Sequence, residues 1–296
     1  MQPIMTAMAQ DSEQFEDSVI IVGVGLIGGS IAAAIRQRHP GCRVTGVGRS
    51  EKRLAAAQKA GLLDDWATAV TGDMLQRPCV VVVCLPVNMI ASQVCEVALM
   101  ATEDVLITDA GSVKSDICNQ VTTDRKSARL FVGAHPIAGG ESGGFENAEA
   151  GLFDDRVCVV TPGERPDGDD GRITRTSDFW SGIGCVVAQM TPREHDRILA
   201  LTSHLPHVMA AVITSVVGPE NLALTGSGFR DATRIAAGSA TLWKEILAGN
   251  REQVVTAIQS AEQTLADFRT ALMQRDDCRI ESLLSKAAAC RMSLDS

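Results

Sequence analysis

Apolar and polar positions divide the chain into two parts of different character. Up to about Met190, short apolar runs recur between polar and glycine-containing loops, which is the pattern of buried strands joined by helices. From Thr191 onward, apolar residues recur at helical spacing over residues 199–217, 240–248 and 253–273. The pattern predicts an α/β fold, with a doubly wound parallel sheet over residues 18–190 and an all-helical domain over residues 191–296.

The first apolar run, residues 19–22, leads into Gly23-x-Gly25-x-x-Gly28 and then into an alanine-rich helical segment. A dinucleotide pyrophosphate needs this layout, since the first glycine permits the turn, the second admits the phosphates and the third lets helix and strand pack closely. The alternative is a tight turn with a purely structural role. We therefore predict a Rossmann-type dinucleotide site, whose residues in this part of the chain are Gly23, Gly25, Leu26, Ile27, Gly28 and Pro86, the last at the end of the run at 80–85.

The second strand, residues 43–47, ends at the expected position of the cofactor's ribose. An NAD-specific protein usually carries an acid there, whereas an arginine suits the 2′-phosphate of NADP. Gly48 occupies the acid position, and Arg49, Ser50 and Arg53 follow it. The sequence therefore predicts NADP or NAD as cofactor, with NADP favoured and with Arg49 and Ser50 as contacts; otherwise these are solvated loop residues.

Composition narrows the class of ligand. The 296 residues carry a formal net charge of −9 without a basic block, which argues against nucleic acid or an anionic membrane as partner and favours a small molecule. No apolar run is expected to span a membrane, and residues 1–17, which lack signal-peptide features, are predicted to be a disordered tail. Nine cysteines without a C-x-x-C pair indicate a reducing, cytoplasmic location.

His135 follows the apolar run at 130–134 and precedes a proline and a glycine-rich loop. A neutral imidazole is suited to taking a proton at neutral pH, and loops at strand ends converge on the ligand in such sheets. We predict that His135 is catalytic, the alternative being a loop histidine without a role. Ser112, in the loop after the run at 105–108, is predicted to orient the imidazole or to bind substrate, although serine is also an ordinary turn former. Lys114 lies in the same loop.

Two histidines stand three residues apart in the helical half, at His204 and His207. They share a helix face if Pro206 does not break the helix. Because no third ligand occurs at a familiar spacing, we predict no metal site and a substrate-facing role for His207, with an ordinary core or surface histidine as the alternative.

Arg230 and Arg234 stand four residues apart after the glycine pair Gly226-x-Gly228. Each guanidinium presents a planar fork that suits a carboxylate, so the pair is a candidate anchor for a dianionic substrate. The alternative is a surface arginine that pairs with Asp231.

Taken together, the segments GVGLIGGS, DAGSVK, HPIAGGESGG, SHLPH and GFRDATRIA, the last followed by LWKEI, resemble the prephenate/arogenate dehydrogenase family of tyrosine biosynthesis. The resemblance covers nearly the whole chain after the tail. It implies a Rossmann domain, a helical domain that forms a homodimer, and NAD(P)-dependent oxidative decarboxylation of prephenate to 4-hydroxyphenylpyruvate, or of arogenate to tyrosine.

By position, the resemblance assigns His135 as the catalytic histidine that binds the ring hydroxyl, supported by Ser112. It assigns four residues to the substrate: Glu141 at the rim of the site, His207, Arg234 as the carboxylate anchor, and Arg230. Two departures concern substrate preference: residues 237–240 lack the Asp-Pro often found there, and Gly226-Ser227-Gly228 replaces an all-glycine stretch.

Two other functions remain open at this point. A β-hydroxyacid dehydrogenase would normally use a lysine of the helical domain as its acid/base group, for which Lys244 is the residue available, but it would have no counterpart of His135. A nicotinamide-binding sensor would keep the fold without turnover, and retention of His135, Ser112 and both arginines speaks against it.

Overall fold

A five-stranded parallel sheet forms the centre of the N-terminal half, in the order β4-β3-β2-β5-β6. The structure is a computed structural model that describes residues 4–5, 15–140, 143–163, 168 and 170–294. The strands are β1 Ile4–Met5, β2 Ser18–Val22, β3 Arg43–Val47, β4 Asp65–Ala67, β5 Cys79–Val83, β6 Val105–Asp109, β7 Gly133–Pro136, β8 Val157–Thr161 and β9 Val186–Gln189. The helices are α1 Leu26–Arg38, α2 Glu51–Lys59, α3 Val87–Met100, α4 Ser115–Val121, α5 Arg125–Leu130, α6 Arg172–Gly182, α7 Pro192–Leu199, α8 Leu205–Val217, α9 Ser227–Thr233, α10 Ala240–Gly249, α11 Arg251–Gln274 and α12 Asp277–Met292.

The central strands are apolar on both sides because helices cover both faces of the sheet. All five residues of β5 are buried, and Ile20 and Ile21 of β2 belong to the two separate cores on opposite faces. Chain order reverses between β2 and β5, so their carboxyl ends border the crevice in which such folds bind ligands. The predicted Rossmann-type sheet is confirmed for these strands.

The later strands form a second sheet and do not extend the first. Its order is β1-β9-β8-β7, with β8 and β9 parallel and β7 antiparallel to β8. The two sheets approach each other through a single-residue bridge between Ile107 and Phe131. The expectation of one doubly wound sheet up to Met190 is therefore wrong for these strands.

The predicted strand at residues 130–134 is also displaced. Leu130 is the last residue of α5, which starts where the Asp124 carboxylate accepts a hydrogen bond from Ser127 N at 2.7 Å. The strand begins only at Gly133, so His135 lies within β7, opposite Val159, and not beyond its end. A strand holds the imidazole more firmly than a loop would.

The predicted disordered tail is too long. Phe15 stacks on His39 with ring centroids 3.6 Å apart, and the Glu16 carboxylate accepts two hydrogen bonds from Arg175 at 2.6 and 2.7 Å. Ile4–Met5 pairs with β9 in antiparallel register. Residues 1–3 and 6–14 lie outside the described residues, so the prediction is not tested there.

The helical half begins with one continuous helix made of α7, a π-helical turn at Ala200–His204, and α8. It starts at a capping box, in which Thr191 and Glu194 satisfy each other's backbone amides, and thus earlier than the predicted residue 199. The predicted helices at 240–248 and 253–273 are confirmed as α10 and α11.

One helix exceeds the length that the sequence analysis expected of any apolar run. The helix Pro192–Val217 is long and apolar enough to cross a membrane, judged by length and composition alone, and only 22% of its apolar window is buried. The apolar run is longer than the sequence suggests because α7, the π turn and α8 join into a single helix. Several of its polar residues are buried within the protein, among them His195, Asp196 and His204.

Candidate active site

The glycine turn has the geometry that a pyrophosphate requires. Gly23 has φ of +100°, and a Cβ there would lie 2.4 Å from the carbonyl oxygen of Cys84. A Cβ on Gly28 would lie 2.2 Å from the carbonyl oxygen of Gly23, whereas one on Gly25 would meet nothing within 4 Å. Gly25 thus faces open space at the start of α1, where no side chain caps the helix. Open space beside uncapped amides fits a dinucleotide phosphate, with Leu26 and Ile27 forming the first residues of α1.

The loop after β3 holds the residues predicted to set cofactor choice. Ser50 is the N-cap of α2 and accepts a hydrogen bond from Arg53 N, so it also has a structural task. Arg49 is exposed. A Cβ on Gly48 would lie 3.7 Å from the nearest methyl of Leu54, which leaves room for a side chain. Across the crevice, the exposed Pro86 precedes α3 as its N-cap.

His135 is buried and begins a chain of three polar side chains. Its Nδ1 lies 2.8 Å from Nε2 of His195, whose Nδ1 lies 2.8 Å from Oδ1 of Asp196. Burial lowers the pKa of His135 well below its usual value, and positive charge on His195, Lys114 and His204 would lower it further. The imidazole is therefore neutral at pH 7 and can accept a proton.

Asp196 connects the helical half to the loop after β6. Its two carboxylate oxygens accept hydrogen bonds from the backbone amides of Lys114 and Ser115, each at 2.8 Å. Burial raises the pKa of Asp196, but hydrogen bonds from His195 and Ser115 outweigh it and the net pKa is lowered. Burial likewise lowers the pKa of His195, although Asp196 opposes this. The carboxylate is thus ionised, and the neighbouring ring is neutral at neutral pH.

Lys114 is buried and its side chain links the two sheets. Its ammonium donates to the Asp109 carboxylate and, at 2.9 Å, to the carbonyl of Ala134. Asp109 also accepts from the amides of Gly111 at 2.9 Å and Ala134 at 3.0 Å. Removing one member of such a pair leaves a buried charge without compensation, which typically costs roughly 3–5 kcal/mol. The pair fixes β7 immediately before His135.

The other predicted residue of this loop, Ser112, is half-buried between β6 and α4. The partner of the His135 Nδ1 atom is His195, so any contact of Ser112 with the imidazole must involve its other nitrogen. Glu141, predicted at the rim, lies outside the described residues. The loop before it does reach the glycine turn, since a Cβ on Gly140 would lie 3.2 Å from Leu26 Cδ2.

His207 packs face to face on Trp243, with ring centroids 3.6 Å apart. The histidine is 7% exposed, and its Nδ1 has no hydrogen-bond partner among the described residues. Burial lowers its pKa. Gly238 lies close to both rings, because a Cβ there would lie 2.8 Å from Trp243 Nε1 and 3.3 Å from His207 Cε1. A buried, unpaired ring nitrogen suits a hydrogen bond to a ligand.

The predicted arginine pair does not lie on one α-helix. Arg230 belongs to α9, whereas Arg234 begins the 3₁₀ turn Arg234–Ala237 that follows it. Both arginines are exposed in the single chain. Arg234 is therefore not a buried side chain in this structure, and the strength expected of a buried ion pair does not apply to it.

Sequence reasoning did not identify His195 and Asp196. One signal was available: Thr191-Pro192-Arg193-Glu194 is a capping-box sequence with a proline at the first helical position, directly after the last strand. It places a His-Asp pair within the first two turns of a helix that must pack near the strand ends. Which residue these side chains would meet was not readable, because His135 is sixty positions away in the chain.

Comparison with known families finds two matches that together span most of the chain. Residues 31–189 match the family described as prephenate dehydrogenase, nucleotide-binding domain. Residues 191–286 match the family described as prephenate dehydrogenase, dimerization domain.

Curated relatives and solved structures agree with these matches. The prephenate dehydrogenase of Bacillus subtilis is 32% identical over 270 residues, covering 89% of this chain and 72% of the relative. The cyclohexadienyl dehydrogenase of Zymomonas mobilis is 31% identical over 283 residues, covering 93% and 95%. The prephenate dehydrogenase structure from Aquifex aeolicus in complex with hydroxyphenyl propionate and NAD+ superposes with a TM-score of 0.87 at 28% identity, covering 96% of this chain and 100% of that chain. The arogenate dehydrogenase structure from Synechocystis gives 0.78 at 25% identity, covering 94% and 99%.

Proposed function

The chain belongs to the prephenate dehydrogenase family, and we propose that it catalyses the NAD(P)-dependent oxidative decarboxylation of prephenate, or of arogenate, to 4-hydroxyphenylpyruvate or tyrosine. Two observations support this most directly: His135 is buried and neutral, and the glycine turn at the start of α1 leaves open space at Gly25 beside uncapped amides. A base next to a dinucleotide site is what oxidation of a ring alcohol needs.

For the cofactor, the proposal is NADP or NAD, with NADP favoured by Gly48, Arg49 and Ser50. The related Aquifex structure contains NAD+, which supports a nicotinamide cofactor in general. When bound, the nicotinamide supplies the acceptor for the hydride that leaves ring C4 of the substrate. Gly23, Gly25 and Gly28 would hold its pyrophosphate, with Leu26, Ile27 and Pro86 beside it.

His135 accepts the proton of the substrate's C4 hydroxyl as the hydride leaves, and loss of carbon dioxide from the ring then yields the aromatic product. Ser112, half-buried in the adjacent loop, is proposed to hold the same hydroxyl. Substrate contacts are proposed for Glu141, His207, Arg230 and Arg234. The two arginines would bind carboxylate, and the unpaired ring nitrogen of His207 would donate or accept one further hydrogen bond.

We also propose that the chain forms a cytoplasmic homodimer through residues 191–296, with residues 18–190 as the cofactor domain. Several large apolar side chains of the helical half are exposed, among them Leu201, Val216 and Leu224. The matched family is described as a dimerization domain, and a second copy would cover this surface without any membrane.

Absorbance at 340 nm tests the function, with prephenate and arogenate each assayed against NAD and NADP. We expect turnover with at least one pair, and a roughly 10²- to 10⁴-fold loss of kcat in His135→Asn with cofactor affinity almost unchanged. Absence of turnover with all four pairs would exclude the proposal. Turnover of a β-hydroxyacid that depends on Lys244, an exposed residue of α10, would favour the alternative dehydrogenase class instead.

A further inference from the structure

We propose that His195, oriented by Asp196, is a positioning residue that fixes the tautomer of His135 and leaves Nε2 of His135 as the basic nitrogen. The inference rests on the proposed function for its catalytic meaning. Its structural content, namely which nitrogen carries the proton, can be tested without any substrate.

The direction of the hydrogen bonds follows from Asp196. An ionised carboxylate can only accept, and this one already accepts from two backbone amides at 2.8 Å. The His195 Nδ1 atom, 2.8 Å from the same carboxylate, must therefore carry the hydrogen. In a neutral imidazole the other nitrogen is then an acceptor, so Nε2 of His195 receives the hydrogen bond from Nδ1 of His135. The lone pair of His135 remains on Nε2.

The surroundings hold this arrangement in place. His195 is fully buried and Asp196 is 2% exposed, so the reversed tautomer of His135 would leave two acceptor nitrogens, His135 Nδ1 and His195 Nε2, facing each other with no donor and no water between them. The charged groups of the same region, Lys114 and Asp109, are paired with each other. His204, the other titratable side chain near His135, is neutral because burial lowers its pKa to about 4.

The proton balance of the step is simple. The O–H bond of the substrate's C4 hydroxyl breaks, an N–H bond forms at Nε2 of His135, and the electron pair of the C4–H bond leaves with the hydride to the nicotinamide while the carbonyl forms. His135 is then an imidazolium that still donates from Nδ1 to His195. The Asp196 carboxylate at the end of the chain stabilises that charge without taking the proton.

Two substitutions of similar size separate this role from packing. In His195→Gln, the side-chain amide can donate to Asp196 and accept from His135, so the tautomer is kept. In His195→Leu, no acceptor faces Nδ1 of His135, and the free energy that favours the Nδ1–H form is lost. If His195 only filled space, the leucine variant would be at least as active as the glutamine variant.

The measurement is ¹⁵N NMR of histidine-labelled protein, assigned to His135 by comparison with His135→Asn. We expect protonated Nδ1 and bare Nε2 in the wild type and in His195→Gln, and a large share of the opposite tautomer in His195→Leu. In the assay, kcat of His195→Leu should be roughly 10- to 100-fold lower than that of His195→Gln, a part of the loss expected when a positioned base is removed altogether. KM for the cofactor should be unchanged. Thermal melting of both variants checks that they are folded.

A wild-type His135 protonated at Nε2 would overturn the inference, and so would equal kcat in the two variants. Failure of the proposed function gives a different pattern, because the expected tautomers would then be present in a protein that turns over neither prephenate nor arogenate. If His195→Leu does not fold, the wild-type and His195→Gln spectra still decide which nitrogen carries the proton.

Discussion

His204 makes the stability of the protein depend on pH in a way that can be calculated. The ring is 1% exposed, and its Nδ1 lies 3.2 Å from the side-chain nitrogen of Asn250. That amide nitrogen can only donate, so the histidine nitrogen accepts and the folded ring is neutral. Burial lowers the pKa of His204 from 6.5 to about 4, with Asp196 opposing and His195 adding to the effect.

The sign follows from the order of the two pKa values. As pH falls through 6.5, the unfolded chain takes up a proton at this residue while the folded chain does not, so the free energy of unfolding decreases until pH 4. Each unit of pKa difference corresponds to about 1.36 kcal/mol. Between pH 7.5 and pH 5 the histidine therefore removes about 2 kcal/mol, before most carboxylates begin to titrate.

Urea unfolding at pH 7.5 and pH 5, at one protein concentration, measures this loss. His204→Gln should unfold with a pH-dependent loss about 2 kcal/mol smaller than that of the wild type. Leu199→Met, a volume-conserving change in the same helix, serves as control, because it alters stability at both pH values equally. An identical pH dependence in wild type and His204→Gln would refute the reasoning.

Three further predictions concern the turn, the cofactor and the substrate. Gly25→Ala should fold normally and lose affinity for the dinucleotide, whereas Gly28→Ala should lower the melting temperature, because its Cβ would lie 2.2 Å from the carbonyl oxygen of Gly23; equal melting of the two would contradict the geometry. Gly48→Asp should shift the ratio of kcat/KM values toward NAD, and a wild type that already strongly prefers NAD would show that our interpretation of this loop is wrong. Arg234→Gln should raise KM for prephenate about tenfold or more without changing KM for the cofactor, because a hydrogen bond to a charged group contributes about 1.5–3 kcal/mol. An analogue without the carboxylate should bind wild type and variant equally.

The parts of the fold that depend on neighbouring residues could be predicted from the sequence, and those that depend on distant partners could not. Gly23, Gly25 and Gly28 were recognisable because strand, turn and helix lie within about twenty residues. The displaced strand shows the limit, since the apolar run at 130–134 continues from the end of α5 into the strand, and short apolar runs do not distinguish helix from strand. The hydrogen bond from Ser127 N to the Asp124 carboxylate caps the start of α5, so the residues up to Leu130 are helical.

The candidate site shows the same division. His135 could be found because a histidine stood next to a predicted strand end. The role of Asp196 could not, because its partners are backbone amides more than eighty residues earlier, and amides carry no signature in the sequence. Exposure of Arg234 was equally hidden, since it depends on how a turn packs against α8.

The π turn at Ala200–His204 determines the rotational phase of the long helix. Leu205 N donates to the carbonyl of Ala200, five residues back, so the turn holds about one residue more than an α-helical turn. In a regular helix the twelve steps from His195 to His207 would place the two side chains about 120° apart, at about 100° a residue. Because the π turn takes up one extra residue, the twelve steps rotate the chain only as far as eleven regular steps would. The two side chains therefore lie about 20° apart, on one side of the helix. Deleting a single residue within the turn would thus leave eleven regular helical steps between the two histidines and keep them aligned, whereas a regular α-helix with the present number of residues would rotate His207 away from His195 by about 100°.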